Sequence, residues 1–182
     1  MPSPGVAWRD RARGLSLIEV LVSLVIISIG LLGLIGMQAR SISGQKDSFD
    51  RKAAAELLGQ LTERMRANHL AFMNNDYASS LLPGAALPVA GACVAGAPCT
   101  PVQVAALDLM NWYQDLRARL PESGAVVAPT GPVGAAMGAG ASSMRITVIW
   151  REANPNSGAD ARCTAVGVVD DSYRCLAAEV FP

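Results

Sequence analysis

The chain has 182 residues, 51% of them hydrophobic and 16% charged, with 15 basic and 15 acidic side chains that cancel. A balanced charge of this kind gives no basic face for nucleic acid. Once the N-terminal apolar segment is set aside, the length leaves room for one domain of ordinary size.

The first fourteen residues carry Arg9, Arg11 and Arg13 with Asp10 and end in Gly14. From Leu15 to Met37 the chain is apolar but for serines, glycines and one carboxylate, Glu19. About 23 residues make roughly 35 Å of helix, enough for a hydrocarbon core of about 30 Å. A carboxylate inside such a segment costs roughly 2.5–3.5 kcal/mol on insertion scales, so it calls for a partner. Cleavage between Gly14 and Leu15 would supply one, because the freed α-amino group lies four residues from Glu19. In an assembly, one subunit's Glu19 would neutralise its neighbour's Leu15 amine. Losing Met1–Gly14 would take three arginines and one aspartate, leaving a net charge of about −2. Two plainer readings compete. A secretory signal peptide has an apolar core of only about 7–15 residues, shorter than this one, and an uncleaved signal anchor leaves Glu19 unexplained.

A short basic leader ending in Gly14, an apolar Leu15 at the new terminus, Glu19 at the fifth mature position and a long apolar helix resemble the class III leader of type IV prepilins. The family usually has Phe where this chain has Leu15. The resemblance implies cleavage after Gly14 by a prepilin peptidase, N-methylation of Leu15, and Glu19 as the assembly carboxylate.

Beyond the span, Phe49, Ala53, Leu57, Leu58, Leu61 and Met65 recur at three- and four-residue steps, the pattern of an amphipathic helix with one apolar stripe. The helix is expected to run on to about Asn68. Gly30, Gly33 and Gly36 recur every third residue inside the span, where each costs about 1 kcal/mol relative to Ala in a water-exposed helix. They fit either a closely packed, meltable stretch or the ordinary frequency of Gly in membrane helices.

From Leu82 to Pro101, Pro and Gly break any regular element, so this is a loop. Thr100-Pro101-Val102-Gln103 then spells a helix start, with Thr100 as N-cap, Pro101 at the first helical position and Gln103 closing a capping box. Ala105, Leu109, Trp112, Tyr113, Leu116 and Leu120 give that helix its apolar face, with Trp112 read as core, and Pro121 with Gly124 ends it. The period then changes to alternation. Ala125–Ala128, Met144–Trp150 and Leu176–Phe181 are strand candidates, with Met144, Ile146, Val148 and Trp150 on one face. Gly131–Ser143 reads as a flexible connection, since its glycines introduce no strand-turn-helix unit for phosphate. The expected fold is α+β and pilin-like: a long N-terminal helix packed on a small antiparallel sheet with one additional helix. The divisions are a leader at 1–14, a membrane segment at 15–37, its amphipathic continuation at 38–74 and a head at 75–182.

Cys93, Cys99, Cys163 and Cys175 all follow the span, an even number in two close pairs, which favours disulfides and an oxidising periplasmic side. Cys93 with Cys99 would staple a hairpin, and Cys163 with Cys175 a terminal loop, although sequence leaves the connectivity open. Zinc is disfavoured because neither pair has a two-residue spacing and His69 is the one histidine. No nucleophile, base and orienter can be assembled, Asp170-Asp171 is too little for calcium, and no cofactor is implied, so a structural subunit is expected rather than an enzyme.

Glu63–Asn68, the stretch from Trp112 to Gly124 that includes Leu120-Pro121-Glu122-Ser123-Gly124, and Ile146–Glu152 are similar to the PilV type of minor pilin. That resemblance implies a single-pass inner-membrane protein with a periplasmic head, which then enters a pilus. Its partners would be prepilin peptidase, other minor pilins, the major pilin and the inner-membrane pilus assembly machinery. It would take part in priming and assembly, and so in twitching motility and attachment. A minor pseudopilin of type II secretion and a membrane-anchored periplasmic binding module are the alternatives.

Overall fold

The structure is a computed structural model that describes residues 16–89, 93, 98–130, 143–152 and 158–181. Gly14 and Leu15, and all of the Gly131–Ser143 connection except Ser143, lie outside the described residues. Helix α1 covers Leu17–Ala67, and the chain divides into two compact units, Met1–Ile42 and Ser43–Pro182.

The described part of the first unit is helical from Leu17 onward. Its stretch Leu17–Gln38 is long and apolar enough to cross a membrane, and none of it is buried within the chain. Ser23 and Ser28 turn their hydroxyls back onto the carbonyls of Glu19 and Leu24, each at 2.7 Å. That satisfies inside the helix the donors that lipid would leave unpaired.

The second unit holds α1 from Ser43 onward, α2 (His69–Met73), β1 (Ser79–Leu81), α3 (Pro101–Arg119), β2 (Gly124–Thr130), β3 (Ser143–Arg151), α4 (Ala161–Thr164) and β4 (Tyr173–Val180). The strands form one antiparallel sheet in the order β1-β2-β3-β4. Ala125 and Val127 of β2, the four expected residues of β3 and Val180 of β4 face α1 and α3, and this is the main core. Ala54, Leu57, Leu61 and Met65 come from α1, and Ala105, Leu109, Trp112, Tyr113 and Leu116 from α3. Trp112 is fully buried and its Nε1–H donates to the Leu57 carbonyl at 2.8 Å, so the indole both fills the core and fastens α3 to α1.

The start of α3 is built as its sequence dictates. Thr100 accepts from the Gln103 N–H, and the Gln103 side chain accepts from the Thr100 N–H at 2.9 Å. Leu120 leaves the helix in an extended conformation and stays buried. Gly124 follows, and it does more than end a helix. A Cβ there would fall on the Leu81 carbonyl oxygen and within 2.9 Å of Pro83 N, so only glycine lets β1 end this close to β2.

Several expectations are corrected. Phe49 does not belong to the buried stripe of α1: it is 67% exposed, and the stripe running back from Leu57 by one heptad lands on Asp50, which is 8% exposed. Phe49 sits one residue, about 100° of helix rotation, away from that line. Strand β1 was not anticipated, because Ser79-Ser80-Leu81 has no apolar alternation; it exists by pairing with Ala125–Val127. Strand β4 begins at Tyr173, three residues before the expected Leu176, and ends at Val180 rather than Phe181. Two short helices appear besides the one foreseen: α2, which follows α1 within the segment expected to continue it, and α4 in the head. Finally, β3 is buried on both faces. Ile149 points away from the main core and packs with Cys163 and Cys175 in a second small cluster.

Candidate assembly site

Glu19 lies in the first turn of α1, where its N–H donates to the Ser16 carbonyl at 3.0 Å and its side chain is exposed. An acid at a helix N-terminus is favoured by the helix dipole. Around it, Leu17, Ile18, Val20, Leu21 and Val22 are all exposed, so the helix is apolar on every side with one acid among them. Such a surface is stable in lipid or among other helices, not in water. A Cβ placed on Gly30, Gly33 or Gly36 would meet nothing within 4 Å. No neighbour among the described residues therefore requires glycine at these positions.

The head is held by polar ties that periodicity does not announce. Tyr77 is fully buried, and its hydroxyl donates to Asp108 Oδ2 at 2.8 Å, beside the Arg64 carbonyl at 3.3 Å. Burial and the adjacent Asp108 carboxylate push the Tyr77 phenol well above its ordinary pKa, so it stays a donor. Arg64 reaches Asp108 at 3.6 Å, which joins the end of α1, the approach to β1 and the middle of α3. At the far end of the sheet, Arg174 Nε and Glu152 Oε2 form an ion pair at 2.6 Å with both side chains 7% exposed. Arg51 of α1 adds a longer contact to Glu152 at 3.4 Å. Arg174 also donates to the carbonyls of Gly158, Asp171 and Tyr173.

Asp50 lies beside this group, and burial raises its pKa, with Asp47 and Glu152 adding to the rise and Lys46 opposing it. Its Oδ2 is buried without a hydrogen-bond partner among the described residues. The burial of Asp50, Glu152 and Arg174 is not signalled by the sequence, since a charge on a helix stripe or at a strand end normally marks solvent.

Cys163 in α4 is bonded to Cys175 in β4, and Cys93 to Cys99, each with a Cα separation of 5.3 Å. The first bond lays the turn after α4 over Ile149, with Val166 and Val168 packed alongside. Asp160 caps α4 by accepting from the Arg162 N–H and also accepts from the Cys175 N–H at 3.2 Å. Burial disfavours its charge, yet these hydrogen bonds and the Arg162 guanidinium outweigh that and hold its pKa below the usual range. Among the described residues no group of three or more His, Cys, Asp or Glu side chains is arranged to hold a metal ion.

The family described as "Prokaryotic N-terminal methylation motif" matches residues 9–35, and the family described as "Type IV pilin Tt1218" matches residues 36–110. The two matches abut, and between them they take in Gly14, Leu15, Glu19, all of α1 and α2, β1 and the first half of α3. Residues 36–110 are thus similar to a type IV pilin family, and the segment before them carries the methylation leader motif. No curated protein and no solved structure matches it. The matched pilin family is a structural one, and the leader motif implies processing by prepilin peptidase and use of the pilus machinery. The α+β architecture, a long apolar helix with an antiparallel sheet, is pilin-like and fits these matches.

Proposed function

We propose that this protein is a type IV pilin, a minor subunit of the PilV type that takes part in priming and assembling type IV pili, and through them in twitching motility and attachment. Prepilin peptidase would cut between Gly14 and Leu15 and methylate the Leu15 nitrogen. The protein would wait in the inner membrane as a single-pass subunit with its head in the periplasm, then pass into the fibre beside other minor pilins and the major pilin. The reading is carried by Glu19, the one charged side chain in an otherwise apolar span inside the matched methylation motif. In lipid neither this carboxylate nor a free α-amine is solvated, so their pairing across two subunits favours the assembled state. The exposed apolar surface of Leu17–Gln38 supplies the packing that goes with it. Two disulfides in the head favour an oxidising compartment on that side.

The test is Glu19→Ala in the full chain. Membrane insertion and leader removal should persist, with the mature product beginning at Leu15, while the amount recovered in sheared fibres falls. Undiminished incorporation would refute the pairing. Assaying fibres, motility and protein secretion separately in a deletion strain distinguishes a pilus subunit from a secretion pseudopilin.

A further inference from the structure

A cavity of about 100 Å³ opens where α1, the adjoining ends of β3 and β4, and α4 come together. Trp150 and Leu176 give it an apolar wall, and Arg51, Arg162, Arg174 and Asp160 a charged one. The three guanidiniums belong to α1, α4 and β4. Held around one small space they repel one another, which is sustained only where negative charge lies among them.

Two carboxylates answer part of that charge. Asp160 is taken up by Arg162, whose Nε and Nη2 donate to it at 3.1 and 3.3 Å, and by the N–H groups of Arg162 and Cys175. Glu152 is divided between Arg174 at 2.6 Å and Arg51 at 3.4 Å. Counting Arg51, Arg162 and Arg174 against Asp160 and Glu152 leaves one positive charge over at the cavity. The charges that act on Asp50 are those of Lys46, Asp47 and Glu152, not of these arginines.

Hydrogen-bond donors are left over as well. Trp150 is 3% exposed, yet its indole N–H makes no hydrogen bond among the described residues. The nitrogen is not sealed off either, so the cavity that the ring borders is where this donor can be met. Trp112, by contrast, has its acceptor in the Leu57 carbonyl. Arg51 makes one long contact among the described residues and is well exposed, and Arg162 keeps its Nη1 unengaged there. Arg174, buried and committed to Glu152 and three carbonyls, contributes its charge.

We propose that this cavity binds one small oxyanion, a carboxylate or a phosphate group, with the Trp150 N–H as its buried donor and Arg51 and Arg162 closing on it from α1 and α4. The volume is about three times the roughly 30 Å³ that a water occupies in the liquid, which suits a group of about four or five heavy atoms. Guanidiniums present paired N–H donors that match the oxygens of either group. The wall of Trp150 and Leu176 lowers the local dielectric and strengthens each contact. All the lining residues lie in the second unit, and the site does not rest on the pilin reading.

The experiment uses the full-length protein in detergent micelles with isotope-labelled tryptophan, titrated with acetate or with inorganic phosphate at fixed pH and ionic strength. The indole N–H resonance of Trp150, identified by its loss in Trp150→Phe, should shift and saturate in the millimolar range, while that of Trp112 stays in place. Whichever anion binds tighter names the group, acetate a carboxylate and phosphate a phosphate. Arg51→Gln and Arg162→Gln, both at exposed side chains, should each raise the dissociation constant by about tenfold or more. Arg117→Gln, which alters an arginine tied to the Ala85 carbonyl instead, should leave it unchanged. No saturable shift with either anion, an equal shift at Trp112, binding that survives both glutamine substitutions, or the same weakening in Arg117→Gln overturns the proposal.

Discussion

Replacing Arg174 by Met leaves Glu152 as a carboxylate almost wholly out of water with, among the described residues, only Arg51 to answer it. The present partner is at 2.6 Å and 7% exposed, while Arg51 is at 3.4 Å with a side chain 64% exposed. Removing one member of a buried ion pair costs about 3–5 kcal/mol, because the surviving charge keeps its desolvation penalty and loses the attraction that offset it. Arg51 recovers part of that, which places the expected loss toward the lower end, about 3 kcal/mol. The same substitution frees the carbonyls of Gly158, Asp171 and Tyr173, so the turn leading into β4 should loosen as well. The double substitution Glu152→Leu with Arg174→Met removes both charges and should recover most of the loss, since a buried pair exchanged for apolar side chains is often near neutral. Denaturant titration of the full chain in a mild detergent, followed by the fluorescence of buried Trp112 and Trp150, reads all three proteins. A loss under 1 kcal/mol for the single variant, or a double variant as unstable as the single one, would refute the claim that this pair is a buried, mutually dependent unit.

Asp50→Asn should stabilise the head at neutral pH and give no gain in acid. The carboxyl's native pKa is raised, mainly by burial, with Asp47 and Glu152 adding to the rise against the pull of Lys46, so ionisation costs stability as pH rises above the ordinary value of 3.8; melting curves at pH 3 and pH 7 check the sign. Gly124→Ala should cost about 1–3 kcal/mol, because the new methyl is forced against the backbone at Leu81 and Pro83, and hydrogen exchange should rise first in β1. Thr100→Ala removes the acceptor of the Gln103 N–H and should cost about 0.5–2 kcal/mol, measured by the same denaturant titration.

What could be read from the sequence divides along a physical line. Elements whose instructions are local were legible. The Thr100–Gln103 box, the six-residue apolar face of α3 and the alternating face of β3 each follow from side chains a few positions apart. Elements that depend on distant partners were not. Ser79–Leu81 is a strand only because Gly124 allows a close approach. Asp50 holds a core position that a hydrophobicity pattern assigns to no charged residue, and Phe49, the apolar side chain next to it, drew the stripe one residue off line. The buried Glu152 and Arg174 are far apart in the fold's local logic and meet only through the pairing of β3 with β4. At the candidate site, Glu19 was legible because a lone acid in an apolar run is conspicuous without any structure.

The glycines at 30, 33 and 36 allow the membrane segment's role to be tested apart from the head's stability. Since a Cβ at each would find open space within the chain, the triple substitution to Ala creates no internal clash. It should not weaken the head, whose core draws on α1 only from Ala53 onward. In a water-exposed helix the change would favour helicity by about 1 kcal/mol per site. Insertion and leader cleavage should therefore proceed as before, and any deficit must arise where other helices approach these positions or where the segment has to unwind as it leaves the bilayer. We expect fibre incorporation to fall while the denaturant midpoint stays in place. Incorporation at the unsubstituted level would show that the three glycines serve neither close packing nor local melting, and would return them to the ordinary composition of a membrane helix.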